Sequence, residues 1–255
     1  MDPGKHDQRI AESFGKQAAT FEDERLNMAF TSGLPWLVEH IAPVAGEQIL
    51  EVAAGTALVG RALADAGSEV VALDRTVAML EEGRRHTTGR APHLLVGTAE
   101  RLPFPDGCFD AVVTRFSLHH LVEPHGVLAE MSRVCRRGGR LVVKDLVADN
   151  DPAVAEQQDR VESWRDPSHL RMPPRGAVAG WLADLGHQVT QVSMREVERP
   201  LEPWLEQSVT AEDGSTLVRQ AMEVELAGGE VTGMRPRRRD GELWFGQTWE
   251  VTAAR

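Results

Sequence analysis

A carboxylate followed by a turn of small residues is the first pattern in this sequence that could do chemistry. A short apolar run beginning at residue 48 ends in Glu51, and the chain then passes through Gly55 into a helical pattern. A glycine turn lets a ligand approach the backbone closely, and the first N–H groups of the helix point toward that ligand. Because a strand-end carboxylate can accept hydrogen bonds from sugar hydroxyls, these residues predict a binding site for a nucleoside cofactor.

A second carboxylate, Asp74, follows Gly55 by 19 residues and lies at the end of the next predicted strand. At that position an acidic side chain can hold both hydroxyls of a ribose. Gly55 and Gly60 also fit a G-x-G-x-x-G motif in which Ala57 replaces the middle glycine. These residues alone therefore leave open a nicotinamide-dependent oxidoreductase as well as other nucleoside-binding enzymes.

The elements that must position these carboxylates alternate between strand and helix from residue 47 onward. Nearly continuous apolar runs are typical of strands that are covered on both faces. Five such runs lie at residues 48–52, 69–73, 93–96, 109–114 and 140–144. Helical patterns lie between them at residues 57–66, 77–85 and 124–136. This alternation predicts an α/β fold with a doubly wound, mostly parallel sheet, in which ligands bind beyond the carboxyl ends of the strands.

Segments on either side of this core could cover the cofactor site. Residues 1–45 carry a helical apolar pattern that includes Phe14 and Phe21, and we expect either a packing layer or a lid whose phenylalanines contact substrate. After residue 147 the patterns predict helices at residues 152–164, 177–185 and 201–227, strands at residues 187–198 and 242–252, and a loop at residues 228–241. We expect one domain over residues 1–255, divided into an N-terminal helical lid (1–45), a cofactor-binding core (46–147) and substrate-covering insertions with closing strands (148–255).

Composition excludes several classes of function. The chain has 255 residues, 42% of them hydrophobic, and a net charge of -11, which argues against general binding to nucleic acid or anionic membranes. Two cysteines are too few for a disulfide framework, and the nine histidines are scattered, so no metal is expected. No apolar stretch approaches the roughly 18 residues of a membrane span. We expect a cytoplasmic monomer or homodimer whose partner is a small-molecule acceptor.

Four ordered motifs resemble those of the class I S-adenosylmethionine-dependent methyltransferases. They are Glu51-Val-Ala-Ala-Gly-Thr-Ala57, Leu73-Asp74 followed by Met79-Leu80, the segment 97–110 with its Leu-Pro-Phe sequence, and Ser117-Leu-His-His-Leu121. In order and spacing they are similar to the small-molecule branch typified by ubiquinone and menaquinone biosynthesis methyltransferases, over about residues 10–147. The later motifs count against a nicotinamide enzyme. The resemblance implies S-adenosyl-L-methionine as cofactor, S-adenosyl-L-homocysteine as product, and a seven-stranded Rossmann-like sheet that ends in a reversed hairpin.

The resemblance also implies roles for individual residues. By the family's pattern, the first turn lies against the methionine part of the cofactor, and the end of the second strand holds the ribose. The segment after the third strand lies beside the adenine, and the end of the fourth strand forms the floor near the sulfonium. In this order the implied residues are Glu51, Ala53 and Gly55; Asp74 and Arg75; Thr98, Ala99 and Glu100; and Arg115 with Phe116.

Three residues depart from the family's pattern. Ala53 and Ala57 stand where the family usually has glycine, and each adds a methyl group where the backbone approaches the ligand. Thr98 stands where the family usually has aspartate, and the lost charge-assisted hydrogen bond would cost about 1 kcal/mol. These changes leave open a protein that keeps the cofactor pocket for another reaction, such as cyclisation, decarboxylation or dehydration, or that binds the cofactor without turnover.

Two histidine segments could supply a general base if the acceptor must lose a proton. His119 and His120 follow the fourth predicted strand, on the rim where an acceptor would lie, and imidazole titrates near neutral pH. Further along, Asp166 and His169 could form a second base with its orienting carboxylate, beside Arg171, which could bind an acceptor's carboxylate or phosphate. Each segment also has a purely structural interpretation, as a helix cap or a loop turn.

The sequence predicts an enzyme that transfers a methyl group from S-adenosylmethionine to carbon or oxygen of a small, apolar or aromatic metabolite. Such a transfer needs the acceptor atom about 3–3.5 Å from the methyl group, so positioning supplies most of the acceleration. The six tryptophans lie mostly outside the cofactor half and suit either an apolar acceptor pocket or ordinary core packing. The expected acceptor-binding residues are Phe14, Phe21 and Arg171.

Overall fold

The computed structural model describes residues 3–255, apart from the side chains of Pro3 and of residues 27–30. Residues 1 and 2, which belong to the expected lid, lie outside the described part of the chain. The described residues form a series of α-helices and one sheet. The helices are α1 (Pro3–Gln17), α2 (Glu24–Ser32), α3 (Leu34–Ile41), α4 (Leu58–Asp65), α5 (Val77–Arg85), α6 (Pro124–Val134), α7 (Pro152–Arg165), α8 (Ala177–Asp184), α9 (Leu201–Gln207) and α10 (Glu212–Leu226).

The helix predicted at residues 201–227 is divided into α9 and α10. Val209, in the short connection between them, has a backbone φ of 51°. This left-handed conformation is costly for a β-branched residue and takes the chain out of the helical path. The apolar periodicity of the segment continues across the break, which is why the sequence pattern did not reveal it.

One sheet of eight strands forms the centre of the described chain. Its strands are β1 (Gln48–Val52), β2 (Glu69–Asp74), β3 (His93–Val96), β4 (Phe109–Arg115), β5 (Cys135–Leu146), β6 (Val189–Pro200), β7 (Arg237–Arg239) and β8 (Glu242–Ala254). The order is β3-β2-β1-β4-β5-β8-β6, with β7 paired to β8. Strands β1 to β5 are parallel, and β8 is antiparallel to both β5 and β6. The predicted doubly wound α/β sheet with a reversed hairpin at its end is confirmed.

Strand β7 is the element that the sequence patterns missed. It lies within the loop expected at residues 228–241 and consists of three arginines. A run of one charged residue type has no apolar alternation and therefore gives no strand signal. The strand is nevertheless paired along its length with β8, and ion pairs from Arg237 and Arg239 to Glu198 of β6 hold it against the hairpin.

Apolar layers cover both faces of the sheet. Leu50 packs on the side of α6 and α8, and its neighbour Ile49 packs on the side of α3 and α4. Because successive side chains of a strand point to opposite faces, this double burial explains the continuous apolar runs. A third cluster joins Trp204 of α9, Met222 of α10 and Phe245 of β8, away from the sheet centre. The C-terminal segments thus have an apolar core of their own.

The hairpin of β6 and β8 extends beyond the carboxyl end of β5. Pairing between β5 and β8 ends with Leu146 opposite Trp249, whereas pairing between β6 and β8 continues to Pro200 opposite Trp244. Since β8 runs antiparallel to β5, its first residues lie past the edge at which the parallel strands end. This overhang brings side chains of β6 and β8 to the edge where ligands bind in such sheets.

Candidate functional site

A large cavity opens at the carboxyl edge of the sheet. It encloses about 1170 Å³ of empty space, a volume that includes the open solvent at its mouth. Its walls come from α1, from the turns after β1 to β4, from the end of α7, and from α9 and β8. The cavity is therefore bordered both by the turns of the parallel strands and by the C-terminal segments.

The turn between β1 and α4 has a left-handed backbone at three positions. Ala53, Gly55 and Ala57 have φ angles of 52°, 56° and 55°. Glycine adopts this conformation freely, whereas an alanine there costs about 1–2 kcal/mol. The conformation gives a physical reason for the glycines that the family usually has at positions 53 and 57. The turn nevertheless forms around the two alanines.

Two buried carboxylates hold this turn. The Gly55 N–H donates to Oδ2 of Asp74 at 2.7 Å, and the Gly60 N–H donates to Oε2 of Glu51 at 2.7 Å. An added Cβ at Gly60 would lie 2.7 Å from that same Oε2, so a larger residue there would displace the Glu51 carboxylate. Burial raises the pKa of Glu51 to about 8 and also raises the pKa of Asp74. At neutral pH Glu51 can therefore donate a hydrogen bond to a ligand as well as accept one.

These residues fit S-adenosylmethionine, the cofactor that the resemblance implies. The buried oxygens of Glu51 and Asp74 suit ribose hydroxyls and the cationic methionine part, and the left-handed turn lets a ligand approach its backbone. Nine of the ten residues that the resemblance implies for this site lie on the cavity wall. They are Glu51, Ala53, Gly55, Asp74, Arg75, Ala99, Glu100, Arg115 and Phe116.

Thr98 is the cofactor residue that the structure does not bring to the cavity. Its side chain is exposed and lies outside the lining, while Gly97 and Ala99 on either side of it are part of the lining. Thr98 is bridged to Arg101 across a turn formed by Ala99 and Glu100, and its side chain lies on the solvent side of that turn. A side chain at position 98 is therefore turned away from the place expected for the adenine.

His119 lies in the short 3-10 turn after β4 and lines the cavity. Its Nδ1 donates to Oδ1 of Asp145 on β5, and the N–H groups of Leu118 and Leu146 donate to Asp145 at 2.7 Å each. Burial alone would lower the pKa of His119, but the charge of Asp145 and the hydrogen bond to it raise this pKa above its ordinary value. With Nδ1 engaged, Nε2 is the ring nitrogen left for a ligand. This is the arrangement of a general base with an orienting carboxylate.

His120 also lines the cavity, but its environment differs. Its Nδ1 lies 3.1 Å from the backbone oxygen of Ser168, to which it donates. Burial, together with the neighbouring His119, holds the pKa of His120 well below its ordinary value. The ring of Phe14 meets it edge-on at a centroid distance of 5.0 Å. His120 is thus a neutral, packed imidazole and a weaker base than His119.

The loop after α7 does not form the second base that the sequence suggested. His169 is buried outside the cavity lining, and its Nε2 lies 2.8 Å from Oδ1 of Asp159 rather than beside Asp166. Arg171 is exposed, is not part of the lining, and donates its backbone N–H to the carbonyl oxygen of His119 at 3.2 Å. This loop therefore supports the backbone of His119 instead of reaching the acceptor.

The N-terminal helical segment is fastened over the cavity by polar contacts. Phe14 and Phe21 of this segment line the cavity. Asp166 accepts from the hydroxyl of Ser13 at 2.7 Å and from the amide of Gln17 at 2.9 Å. Burial alone would raise the pKa of Asp166, but the charge of Arg165 and the hydrogen bonds from the hydroxyls of Ser168 and Ser13 hold this pKa well below its ordinary value. Two ion pairs of 2.5 Å, Arg75 with Asp7 and Arg61 with Glu22, add further attachments.

A group of cavity residues on the C-terminal segments was missed by sequence reasoning. They are Arg165, Arg199, Trp204, Gln207, Gln247 and Trp249. The sequence pattern singled out no individual tryptophan as a site residue, and it did not single out Arg165. Nothing in the local pattern marks Arg199 or Gln247, because their position depends on how far the β6–β8 hairpin extends past β5.

Two kinds of site are absent from the part of the chain that the structure describes. Within it, no group of three or more histidine, cysteine, aspartate or glutamate side chains is arranged to hold a metal ion. None of its described helices has the length and apolar composition of a membrane span.

The sequence and the fold are both similar to those of known proteins. The family described as "Methyltransferase domain" matches residues 50–143. A demethylmenaquinone methyltransferase of Clavibacter sepedonicus is 34% identical over 182 residues, which cover 70% of this chain and 74% of the relative. The YcgJ protein of Bacillus subtilis superposes with a TM-score of 0.78 at 19% identity, over 88% of this chain and 97% of that one. The [4+2]-cyclase SpnF superposes with a TM-score of 0.60 at 16% identity, over 87% and 79%.

Proposed function

Because the chain belongs to the class I S-adenosylmethionine-dependent methyltransferases, we propose that it methylates carbon or oxygen of a small acceptor with an aromatic or otherwise apolar body. The Clavibacter relative is named for demethylmenaquinone, and this supports a small acceptor for the present chain. Phe116, Trp204 and Trp249 border the cavity, which supports an aromatic body because flat rings stack on such side chains.

The observation that carries this proposal is that the His119–Asp145 pair faces the same cavity as the carboxylates of the cofactor turn. Glu51 and Asp74 border that cavity from the ends of β1 and β2, and His119 borders it from beyond the end of β4. A nucleoside held by the carboxylates and an acceptor beside the imidazole would meet in one space, one wall of which is α1. Such alignment is what a displacement at a methyl group requires.

Bound S-adenosylmethionine supplies the methyl group, whose bond to sulfur breaks with the electron pair remaining on sulfur. The protein's part is to bind and align. We assign Asp74 to the ribose, Glu51 to the methionine part, and Phe116 to the floor beneath the reacting centre. These assignments are supported by the position of all three residues on the cavity wall.

His119 is the residue that would move a proton. Its Nε2 accepts the proton that the acceptor oxygen or carbon loses as the new bond to the methyl group forms. Asp145, which holds Nδ1–H, stabilises the imidazolium that results. An acceptor that is already deprotonated would need no base, and His119 would then only orient it.

A non-methylating reaction in the same cavity is the second candidate. Ala53 and Ala57 favour it because each places a methyl group and a strained backbone in the cofactor turn. The fold itself is compatible with such chemistry, since a [4+2]-cyclase shares it. A protein that only binds the cofactor is the third candidate, and it is distinguished by the lack of any turnover.

Mass spectrometry with methyl-deuterated S-adenosylmethionine separates these candidates. The protein would be incubated with 2-naphthol and with 1,4-dihydroxynaphthalene as probe acceptors, and both products would be quantified. Methyl transfer predicts equal amounts of S-adenosylhomocysteine and deuteromethylated probe. A rearranged product without S-adenosylhomocysteine would contradict transfer, and cofactor binding with no product from an acceptor library would support a binding protein.

A further inference from the structure

The short helix α9 carries a buried hydrogen-bond donor on the wall of the cavity. Trp204 is 1% exposed and lines the cavity, and its Nε1 has no hydrogen-bond partner in the part of the chain that the structure describes. Gln207, three residues later on the same face of α9, is also 1% exposed and lines the cavity. Buried N–H groups are nearly always paired in native proteins, so an unpaired one at a cavity points to a ligand.

Two arginines fix the orientation of the Gln207 amide. Arg199 donates from Nη2 to Oε1 of Gln207 at 3.1 Å, and Arg165 donates to the same oxygen at 3.3 Å. Because a guanidinium can only donate, the atom between the two must be the oxygen, and the amide cannot be flipped. Nε2 of Gln207, which carries two N–H groups, has no partner among the described residues. Helix α9 therefore offers an indole N–H and an amide NH₂ at one wall.

Other polar groups of this wall are already paired with each other. The indole N–H of Trp249 donates to Oε1 of Gln247 at 3.4 Å, and the amide of Gln247 donates to Oε1 of Glu162 at 2.6 Å. The ring of Trp204 is held by Cζ of Arg165 at 4.7 Å from its centroid and by the ring of Phe245 at 4.5 Å. Neither contact is a hydrogen bond to Nε1. The indole of Trp204 is thus fixed in place while its donor remains available.

The charges of the cavity do not select an ion. Its lining has as many carboxylates as arginines, namely Glu51, Asp74, Glu100 and Asp166 with Arg75, Arg115, Arg165 and Arg199. The donors of Trp204 and Gln207 are neutral, and neutral donors compensate poorly for removing an anion from water. A carbonyl oxygen is uncharged and has two lone pairs, so it can accept from both residues at once.

We propose that the acceptor carries a carbonyl oxygen, separate from the methylated atom, that accepts hydrogen bonds from Trp204 and Gln207. This inference rests on the proposed methyl transfer and adds a recognition group to its acceptor. An analogue that lacks the oxygen leaves both donors unpaired, so α9 determines specificity. The hydroxyl of Thr20 donates to the backbone oxygen of Gln207 at 3.0 Å. The carbonyl site therefore adjoins the N-terminal segment that covers the cavity.

NMR titration with two ligands of the same ring skeleton tests this proposal. The probes are 1-tetralone and tetralin, which has a CH₂ group in place of the carbonyl, and each is added to ¹⁵N-labelled protein with and without saturating S-adenosylhomocysteine. We expect 1-tetralone to bind about tenfold or more tightly than tetralin. We also expect 1-tetralone to move the indole N–H proton signal of Trp204 downfield, because that N–H gains a hydrogen bond. Tetralin should not cause this shift.

Trp204→Phe keeps an aromatic ring but removes the N–H. In this variant the preference for 1-tetralone should fall to about twofold or less, while the affinity for tetralin stays within about twofold of the wild-type value. Gln207→Met should lose part of the preference. Trp181→Phe is the matched control, because Trp181 is partly buried against another cluster and lies outside the cavity lining. It should keep the full preference.

Several results would overturn the proposal. They are equal binding of the two probes by the wild-type protein, failure of 1-tetralone to bind, an unshifted Trp204 signal with 1-tetralone bound, and an unchanged preference in Trp204→Phe. The wild-type measurements need no variant to fold, since sequential assignment identifies the Trp204 signal. Failure of S-adenosylhomocysteine to bind, with the preference for the ketone intact, would contradict the proposed methyl transfer and leave the carbonyl site standing.

Discussion

His119 differs from its neighbour His120 in the charge bonded to its ring. The carboxylate of Asp145 holds Nδ1 of His119 and raises its pKa, whereas Nδ1 of His120 is bonded to neutral oxygens of Ser168 and burial lowers the pKa of His120. Two adjacent residues of one type are thus given opposite protonation behaviour by their neighbours. The sequence placed both histidines at the rim of the site. It did not show which of them is the stronger base, because Asp145, which decides this, is 26 residues away on another strand.

The first prediction concerns His119 as a base. In His119→Asn, kcat for a neutral hydroxyl acceptor should fall by about 10²–10⁴-fold while the affinity for S-adenosylhomocysteine is kept. In the wild type, only the neutral imidazole accepts a proton, so kcat should rise with pH through a pKa above about 6.5. In Asp145→Asn, this midpoint should move to lower pH because the carboxylate that raises it is removed. Initial rates measured across a range of pH for the wild type, His119→Asn and Asp145→Asn check these three expectations.

The exposed His125→Asn is the control for this prediction and should keep the wild-type profile. A pH-independent kcat in the wild type, or an unchanged kcat in His119→Asn, would show that alignment alone accounts for the reaction.

A second prediction concerns Ala57, which precedes α4 with a φ of 55°. Ala57→Gly should stabilise the fold by about 0.5–1.5 kcal/mol, because glycine relieves the left-handed strain and is a better N-cap than alanine. Ala62→Gly, inside the same helix, should instead destabilise by about 1 kcal/mol. Urea denaturation gives both values. If Ala57→Gly destabilised the protein as much as Ala62→Gly does, strain at this turn would be disproved.

At the scale of elements, the sequence predicted the parallel half of the sheet well and the covering segments less well. The bounds of β1, β3 and α5 agree with the apolar patterns because both faces of the sheet are buried and the helices end at clear signals. The overhang of β6 and β8 could not be read in the same way. It depends on a register between strands some 50 residues apart, and the residues that it brings to the cavity, such as Arg199, follow from that register alone.

The lid helix α1 makes its principal polar contact with the cavity wall through Asp166. We propose that this contact closes the site, since Ser13 and Gln17 donate to the same carboxylate. In Asp166→Ala, amide hydrogen exchange in α1 should be faster by about tenfold, and the KM for the acceptor should rise more than the Kd for S-adenosylhomocysteine. Exchange mass spectrometry and initial rates measure the two effects.

Glu206→Ala serves as the control for the lid. Glu206 pairs with Arg25 at 2.5 Å, but both side chains are more than half exposed, and such surface pairs contribute little. In Glu206→Ala, the amide hydrogen-exchange rates of α1 should equal those of the wild-type protein. Unchanged exchange in Asp166→Ala would show that α1 is held by its apolar contacts and that Asp166 does not close the site.

At the scale of the whole molecule, the cavity holds charges of both signs although the chain carries a net charge of -11. Its lining includes Arg75, Arg115, Arg165 and Arg199 together with Glu51, Asp74, Glu100 and Asp166. The net charge argues against general binding to nucleic acid or anionic membranes, but it does not describe the charges that a ligand meets inside the cavity.

We propose that the chain works as one domain, with residues 1–45 as the lid, 46–147 as the cofactor-binding core and 148–255 as the acceptor-covering part. The three parts meet around one cavity, since α1, the turns of the core and the C-terminal residues Trp204 and Gln247 all line it. The resemblance in the sequence covered mainly the core. It therefore predicted the cofactor side of the cavity and left the acceptor side to be found from the structure.

The most direct test of this account is calorimetric titration of S-adenosylhomocysteine into the wild-type protein, Asp74→Ala and the control Asp106→Ala. The side chain of Asp106 is 81% exposed and lies away from the cavity. We predict micromolar binding by the wild type and the control. Asp74→Ala should bind about tenfold or more weakly, a loss of ~1.4 kcal/mol, because a buried acceptor of the ribose is gone. Absence of binding by the wild-type protein would contradict the account, and equal binding by all three proteins would remove Asp74 from the cofactor site.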